Sequence, residues 1–144
     1  MYEAYSRQAL PESKYRELLG TALCVFNANN AFIIENILKN DTDNSYTWYA
    51  LVDCDSGKLK APIFNTISNT NSDIAFKFDA IVDMRNRIIH SFQITADEQG
   101  TQMLATKTKI KDGNHQFRIT EEYLLNFIKA NDELSLMLHA HRGY

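Results

Sequence analysis

A long run of apolar residues at helical spacing leaves this chain few architectures other than a helical one. The run begins near Tyr15 and continues to about Leu38, and its members recur every three or four positions: Tyr15, Leu18, Leu19, Ala22, Leu23, Phe26, Ile33, Ile34 and Ile37. Pro11 before it is typical of a helix first turn, and the polar segment 40–44 ends it. The sequence therefore predicts a long first helix that other helices must cover.

Further helices follow this first one along the chain. A second is predicted over roughly 45–54, with Trp48, Leu51 and Val52 facing inward, and Pro62 is expected to start a short helix over 63–68. Asn71 or Ser72 caps a third long helix, whose apolar stripe is Ile74, Phe78, Ile81, Val82, Ile88, Ile89 and Phe92. Thr120 caps the last helix, whose inward residues are Leu124, Phe127, Ile128, Leu134 and Leu138.

Between these last two helices the apolar period changes from helical to alternating. Residues 103–111 alternate in character, and Asp112-Gly113 is the signal of a two-residue hairpin turn. The predicted hairpin spans about 102–119 and pairs Ile110 with His115, Thr108 with Phe117 and Thr106 with Ile119. The fold class is thus predicted as an all-α, up-and-down bundle of about four principal helices with one β-hairpin inserted before the last helix.

Composition limits the class of protein. A chain of 144 residues, 44% hydrophobic and with no internal linker, predicts one globular domain over 1–144. No uninterrupted apolar stretch approaches the roughly 18 residues of a membrane span, and the N-terminus has no apolar signal core, so we expect a cytoplasmic protein without membrane contact. Cys24 and Cys54 lie in apolar helical stretches and are expected to be reduced, packed thiols. No metal site or cofactor motif is found, so none is expected.

Two asparagines in the first helix are candidates for supporting a site. Asn30 falls on the apolar stripe between Phe26 and Ile33, with Asn27 beside it. A buried mid-helix Asn must be hydrogen bonded. One interpretation is a structural hydrogen bond to Asn131 on the last helix, and the other is that Asn30 faces a polar cleft.

The most informative segment is Asp83-Met-Arg85-Asn86-Arg87-Ile-Ile-His90 in the third long helix. Asn86 and His90 are four residues apart and share a helix face, which Asp79 and Asp83 are expected to continue. Arg85 lies on the apolar stripe, where an arginine is unfavourable unless it is paired or faces a cleft. A structural salt bridge and a catalytic cleft are both consistent with this pattern.

The Arg85-Asn86 pair followed by His90 resembles the Arg-x4–6-His motif of the HEPN superfamily, in which a polar residue, often Asn, follows the Arg. The setting is similar too, because the motif lies near the end of the third long helix of a small helical chain. The resemblance implies a metal-independent endoribonuclease that works as a homodimer, with two motifs in a shared cleft. Toxin–antitoxin and phage-defence systems are the setting that it implies.

The chemistry of these side chains suits that activity. A neutral imidazole at His90 could take the proton of a ribose 2′-OH, which then attacks the adjacent phosphate. The Arg85 guanidinium could hold the phosphate oxygens and stabilise the transition state. Asn86, by the resemblance, would orient the histidine or the phosphate.

One position departs from the family pattern. Some HEPN toxins carry a Tyr two residues past the His, which a nucleotidyltransferase antitoxin adenylylates, whereas this chain has Phe92 there. Phenylalanine has no hydroxyl to modify. A nucleotidyltransferase antitoxin is therefore only one candidate partner.

A local excess of positive charge on the hairpin predicts contact with RNA, although the whole chain has a formal net charge of −3. The predicted RNA-binding residues are Arg87, Lys107, Lys109, Lys111 and Arg118. Lysines that prevent edge-to-edge strand pairing are an equally good interpretation. Two other functions stay open: a catalytically silent HEPN-like module that binds a nucleotide or a protein, and a helical interaction protein in which Arg85 forms a salt bridge.

Overall fold

Helices make up most of the computed structural model, which describes residues 2–69 and 71–143. The α-helices are α1 (Ser13–Lys39), α2 (Trp48–Val52), α3 (Lys60–Asn65), α4 (Ser72–Ile89) and α5 (Glu121–Arg142). Between α4 and α5 the described chain forms a three-stranded antiparallel sheet, in the order β1 (Phe92–Thr95), β2 (Gln102–Lys107), β3 (Gln116–Ile119). The predicted helical bundle with a hairpin agrees with this mostly helical fold, to which β1 adds a third strand.

The first helix is the centre of the core, as its apolar spacing predicts. It packs most extensively against α5, and α5 also packs against α4. The buried residues of α1 are Tyr15, Ala22, Phe26, Asn29, Ile33, Ile34, Asn36 and Ile37. The Phe26 ring lies between those of Phe78 and Phe127, with centroids 6.3 and 6.1 Å away. This aromatic cluster joins the three long helices.

By length and composition alone, α1 could also cross a membrane. Its most apolar window has a mean hydropathy of 1.3, so the absence of an uninterrupted apolar stretch does not exclude a span. However, α1 packs its apolar face against α5, and Glu17 and Glu35 are exposed on its surface. Carboxylates are costly in lipid. Within the described residues, α1 packs against α5 and α2, and 28% of its most apolar window is buried.

The predicted caps and stripes of α4 and α5 are confirmed with two exceptions. The Asn71 side chain accepts the Asp73 N–H at 3.2 Å, and Thr120 Oγ1 accepts the Tyr123 N–H at 3.1 Å. Ile89 and Phe92 are exposed, however, and Phe92 begins β1 rather than continuing α4. The buried stripe therefore ends at Ile88, one residue before α4 itself ends at Ile89.

The hairpin is confirmed, but its predicted register is wrong by two residues. Thr106 lies opposite Phe117, and Leu104 lies opposite Ile119. The connection is longer than a two-residue turn: it contains a 3-10 turn over Ile110–Asp112, followed by Gly113 and Asn114 with φ of 97° and 54°. A shift of two leaves every side chain on its predicted face. The alternating pattern could therefore not detect it.

Several smaller predictions about burial are corrected. Leu51 is buried, but Trp48 and Val52 are exposed, because α2 has only five residues and presents one side to the core. The short helix begins at Lys60, before Pro62. Cys24 is a free, exposed thiol and Cys54 a half-buried one. Cys24 lies between Ala22 and Phe26 on the side of α1 that turns away from the core.

A buried asparagine pair joins α1 to α5. Asn29 Nδ2 donates to the backbone oxygen of Asn131 at 2.8 Å and to its side-chain Oδ1 at 3.0 Å. Asn131 Nδ2 in turn donates to the Phe127 oxygen at 2.9 Å. The interhelical bond expected for Asn30 thus belongs to its neighbour, Asn29.

Candidate functional site

The carboxyl end of α4 positions the three candidate catalytic residues. The last turn of the helix closes with the His90 N–H donating to the Asn86 oxygen at 2.9 Å. The His90 oxygen accepts the Thr106 hydroxyl of β2 at 3.0 Å. The backbone of His90 is therefore held from two sides, while the residue itself stays exposed.

Arg85, Asn86 and His90 line one cleft of about 540 Å³. The opposite wall is formed by Asp55, Gly57 and Lys58, at the start of the 3-10 turn Ser56–Leu59, and Ile89 completes the lining. The structure thus brings together the three predicted side chains on a surface open to solvent.

The Arg85 side chain is anchored by an aromatic ring rather than by a carboxylate. Its guanidinium carbon lies 5.1 Å from the centroid of the Phe26 ring, a cation–π arrangement. Within residues 2–69 and 71–143 it forms no hydrogen bond or salt bridge, and its Nε is buried without a partner. The salt bridge considered from the sequence is absent from this part of the chain. An arginine held in this way keeps its terminal Nη donors for a ligand.

The wall opposite Arg85 is tied to α1 by Asn30. The Ser56 hydroxyl donates to Asn30 Oδ1 at 2.8 Å, and Ser56 is buried. This contact fixes the turn that carries Lys58, whose Nζ lies 3.8 Å from Asp55 Oδ2. Both of those charged side chains are largely exposed. Asn27, the other predicted support, is exposed and does not line the cleft.

The two acidic residues predicted to continue this face form ion pairs with lysines of other elements. Asp79 lies 3.4 Å from Lys60 Nζ, and Asp83 Oδ1 lies 2.8 Å from Lys109 Nζ. Neither carboxylate lines the cleft. Seven residues complete almost two turns of a helix, so Asp83 lies on nearly the same side as His90 but about 10 Å away along the axis.

The predicted RNA-binding residues are divided between two other surfaces. Arg87, Lys109 and Lys111 line a second pocket, of about 260 Å³, between α4, the β2–β3 connection and α5. Lys107 and Arg118 lie on the outer face of the sheet. Lys109 does not share that face, because it lies in the connection and contacts Asp83.

The two outer-face cations are engaged with the protein. Lys107 Nζ donates to Asn114 Oδ1 at 2.6 Å, and Arg118 Nη2 donates to the Ala96 oxygen at 3.0 Å. These bonds brace the loops at either end of the sheet.

Sequence reasoning missed Asp55 and Lys58 in the cleft, and Phe117 and Tyr123 in the second pocket. Segment 55–58 follows the second predicted helix, and no motif in it indicates a site. Its approach to Arg85 depends on the packing of the buried Leu59 and on the Ser56–Asn30 bond, and no local pattern signals either contact.

Metal ligands do not converge in the part of the chain that is described: no group of three or more His, Cys, Asp or Glu side chains there could hold an ion. Comparison of the chain with family models, with curated proteins and with solved structures finds no match. The function is therefore inferred from the geometry of the cleft.

Proposed function

We propose that this protein is a metal-independent endoribonuclease of the HEPN type, with Arg85, Asn86 and His90 as its catalytic residues. The observation that carries the proposal is that these three side chains line one open cleft, with His90 exposed and Arg85 unpaired among residues 2–69 and 71–143. A buried, salt-bridged Arg85 would have favoured a purely structural role. An HEPN-like bundle and a cytoplasmic location are part of the same proposal.

The reaction is an attack from within the substrate. Neutral His90 accepts the proton of a ribose 2′-OH, and the 2′-oxygen forms a bond to the adjacent phosphorus. The bond from phosphorus to the 5′-oxygen breaks, and that oxygen takes up a proton. The products are a 2′,3′-cyclic phosphate and a 5′-hydroxyl. Because the ribose already holds the hydroxyl near its phosphate, the step needs no external nucleophile.

Arg85 binds the phosphate in this mechanism. Its guanidinium offers a planar fork of donors to two phosphate oxygens and counters the charge that develops in the transition state. The Phe26 ring fixes the head group without using those donors. Asn86, one residue further along the cleft, orients the phosphate or His90.

A homodimer completes the proposed site. Two copies related by a two-fold axis would bring two clefts together, and the second His90 would supply the proton to the leaving oxygen. The half-exposed Ile89 beside the cleft supports an interface at this place, since a large apolar side chain gains from being covered. A toxin–antitoxin or phage-defence role and an antitoxin partner follow from the same resemblance.

The alternative function is a catalytically silent HEPN-like module that binds a nucleotide or a protein. The stacking of Arg85 on Phe26 favours it, because a half-buried arginine on a core aromatic ring also serves packing. In that case His90 is dispensable.

Cleavage assays of wild type beside His90→Ala separate the two functions. We expect cleavage of single-stranded RNA in EDTA, a cyclic phosphate end, and no cleavage of DNA, which has no 2′-OH. His90→Ala should reduce the rate by about 10²–10⁴-fold. His115→Ala is the matched control, because His115 is an exposed histidine on the β2–β3 connection and lies outside the cleft. Loss of activity in EDTA, equal cleavage of DNA, or an unchanged rate for His90→Ala would contradict the mechanism.

A further inference from the structure

The second pocket lies on a different side of α4 from Arg85. Arg85 and Arg87 are two residues apart, which is about 200° around a helix. No residue that lines the pocket of about 260 Å³ also lines the cleft. The pocket is therefore a separate site that the cleavage mechanism does not use.

One end of this pocket is cationic. Arg87 Nη1 donates to the Lys107 oxygen at 2.7 Å, which fixes the guanidinium, while its Nε is buried without a partner. Lys109 is neutralised by Asp83 at 2.8 Å. Arg87 and Lys111 have no carboxylate within salt-bridge distance among residues 2–69 and 71–143. Asp112 also lines the pocket, but the residues that line the pocket still have an excess of positive charge.

The other end of the pocket is aromatic. The rings of Phe117 and Tyr123 lie 5.9 Å apart at 47°, and Met84 lines the pocket beside them. The Tyr123 hydroxyl donates to the Met84 oxygen at 3.3 Å, which holds the ring in place. Flat aromatic ligands stack on such side chains, and nucleobases do so with little regard to sequence.

We infer that this pocket binds one nucleotide unit, with its phosphate on Arg87 and Lys111 and its base against Phe117 and Tyr123. The combination of unpaired cations and fixed rings in one pocket supports this ligand. A volume of about 260 Å³ is small for a ligand pocket, so a single unit is the largest ligand that it accommodates. The unit could be a free mononucleotide or one nucleotide of an RNA strand. The inference does not depend on ribonuclease activity.

Calorimetric titration of the full chain with 5′-AMP tests the inference. Adenosine and inorganic phosphate serve as half-ligands, and each should bind at least about tenfold more weakly than AMP. Lys111→Ala should weaken AMP binding by about tenfold, since a hydrogen bond to a charged group is lost. Lys111 is exposed at the tip of the connection, so this variant should fold normally. Lys129→Ala is the matched control, because Lys129 is an exposed lysine outside the pocket.

Two further measurements identify the source of the nucleotide and limit the inference. A short oligoadenylate tests whether the bound nucleotide belongs to an RNA strand. It is titrated into His90→Ala, so that the oligoadenylate is not cleaved. If only the oligoadenylate binds, with the same dependence on Lys111, the nucleotide belongs to RNA. Phe117→Leu should weaken whichever ligand binds, with circular dichroism as a check on folding. The inference is wrong if neither AMP nor the oligoadenylate binds, if phosphate binds as tightly as AMP, or if both pocket variants bind as wild type does.

Discussion

Two arginines on α4 show how differently one residue type is used within a single helical turn. Arg85 and Arg87 both have a buried Nε without a hydrogen-bond partner. Arg85 packs on the Phe26 ring and forms no hydrogen bond in the described chain, whereas Arg87 donates to the Lys107 oxygen and so connects α4 to the sheet. The element opposite each side chain makes the difference: an aromatic core faces one, and a strand end faces the other.

The side of α4 that carries Arg85 and the side that carries Arg87 therefore have different roles. The side that carries Arg85 is open to solvent and suited to chemistry, because an aromatic ring holds a guanidinium without using its donors. The side that carries Arg87 supports the hairpin and forms the second pocket. Removing each arginine in turn should therefore change different properties of the protein.

The largest expected difference is in RNA cleavage. Arg85→Ala should lower the cleavage rate by at least about 100-fold, because it removes the cation that binds the phosphate. Arg87→Ala should lower it by less than about tenfold, measured on the same substrate at low salt, since a cation outside the cleft does not contact the reacting phosphate. Arg85→Lys, which keeps the charge but loses the fork of donors, should fall between wild type and Arg85→Ala. Equal losses for the two alanine variants would contradict the claim that Arg85 and Arg87 differ in their role in cleavage.

The wall opposite Arg85 should also depend on its anchor. Asn30→Ala leaves the buried Ser56 hydroxyl without its acceptor, so the free energy of unfolding should fall by about 1–3 kcal/mol. Asn27→Ala, on an exposed position of the same helix, should change it by less than about 0.5 kcal/mol. Urea denaturation measures both values. If the two variants are equally stable, Asn30 does not hold the cleft wall.

A smaller effect should appear in the hairpin. Arg87→Ala removes the bond to the Lys107 oxygen, which should cost about 0.5–1.5 kcal/mol. The Thr108 amide, which donates to the His115 oxygen at 2.8 Å, should then exchange its hydrogen faster. Arg85→Ala should leave that exchange rate unchanged. Faster exchange in both variants would mean that the two sides of α4 are not independent.

The smallest effect concerns the titration of Tyr123. Burial raises the pKa of Tyr123 above its ordinary value of 10.0, and Asp83 raises it further, while Arg87 opposes the shift. Arg87→Ala should therefore raise this pKa, and Arg85→Ala should not. Ultraviolet absorbance of the phenolate measures the titration, with Tyr123→Phe as the reference.

The same shift has a consequence for stability. Because the pKa is raised in the folded state, the stabilisation from neutral Tyr123 is fully present below the ordinary tyrosine pKa. It is lost as the pH rises through the folded-state value. Wild type should therefore lose stability above about pH 10 more steeply than Tyr123→Phe does.

Much of the fold could be predicted because the apolar spacing within each segment indicates its secondary structure. The stripes of α1, α4 and α5 recur over many turns, and their caps at Asn71 and Thr120 are short-range signals. Strand β1 was missed because Phe92 continues the apolar period of α4, and neither Gly nor Pro marks the helix end at His90. What ends the helix is the pairing of residues 92–95 with β2, a contact that no local pattern reveals.

The candidate site likewise has residues that could be predicted from the sequence and residues that could not. Arg85, Asn86 and His90 lie within six positions, so their arrangement follows from helix geometry and could be predicted. The second wall, with Lys58, and the choice of Asn29 rather than Asn30 as the partner of Asn131 depend on how helices pack. Neighbouring positions on a helix differ by about 100° in direction, and the pattern of residue types does not resolve one from the other.

The packing of α1 on α5 has a consequence for biosynthesis. Asn29 and Asn131, which join the two helices, are 102 residues apart in the chain. Synthesis proceeds from the amino end, so the apolar face of α1 leaves the ribosome long before its main partner has been made. During that interval this face is bare, and it is the kind of surface that promotes aggregation of nascent chains. The helix that organises the finished protein thus has an apolar face that stays uncovered for most of the time the protein is being made.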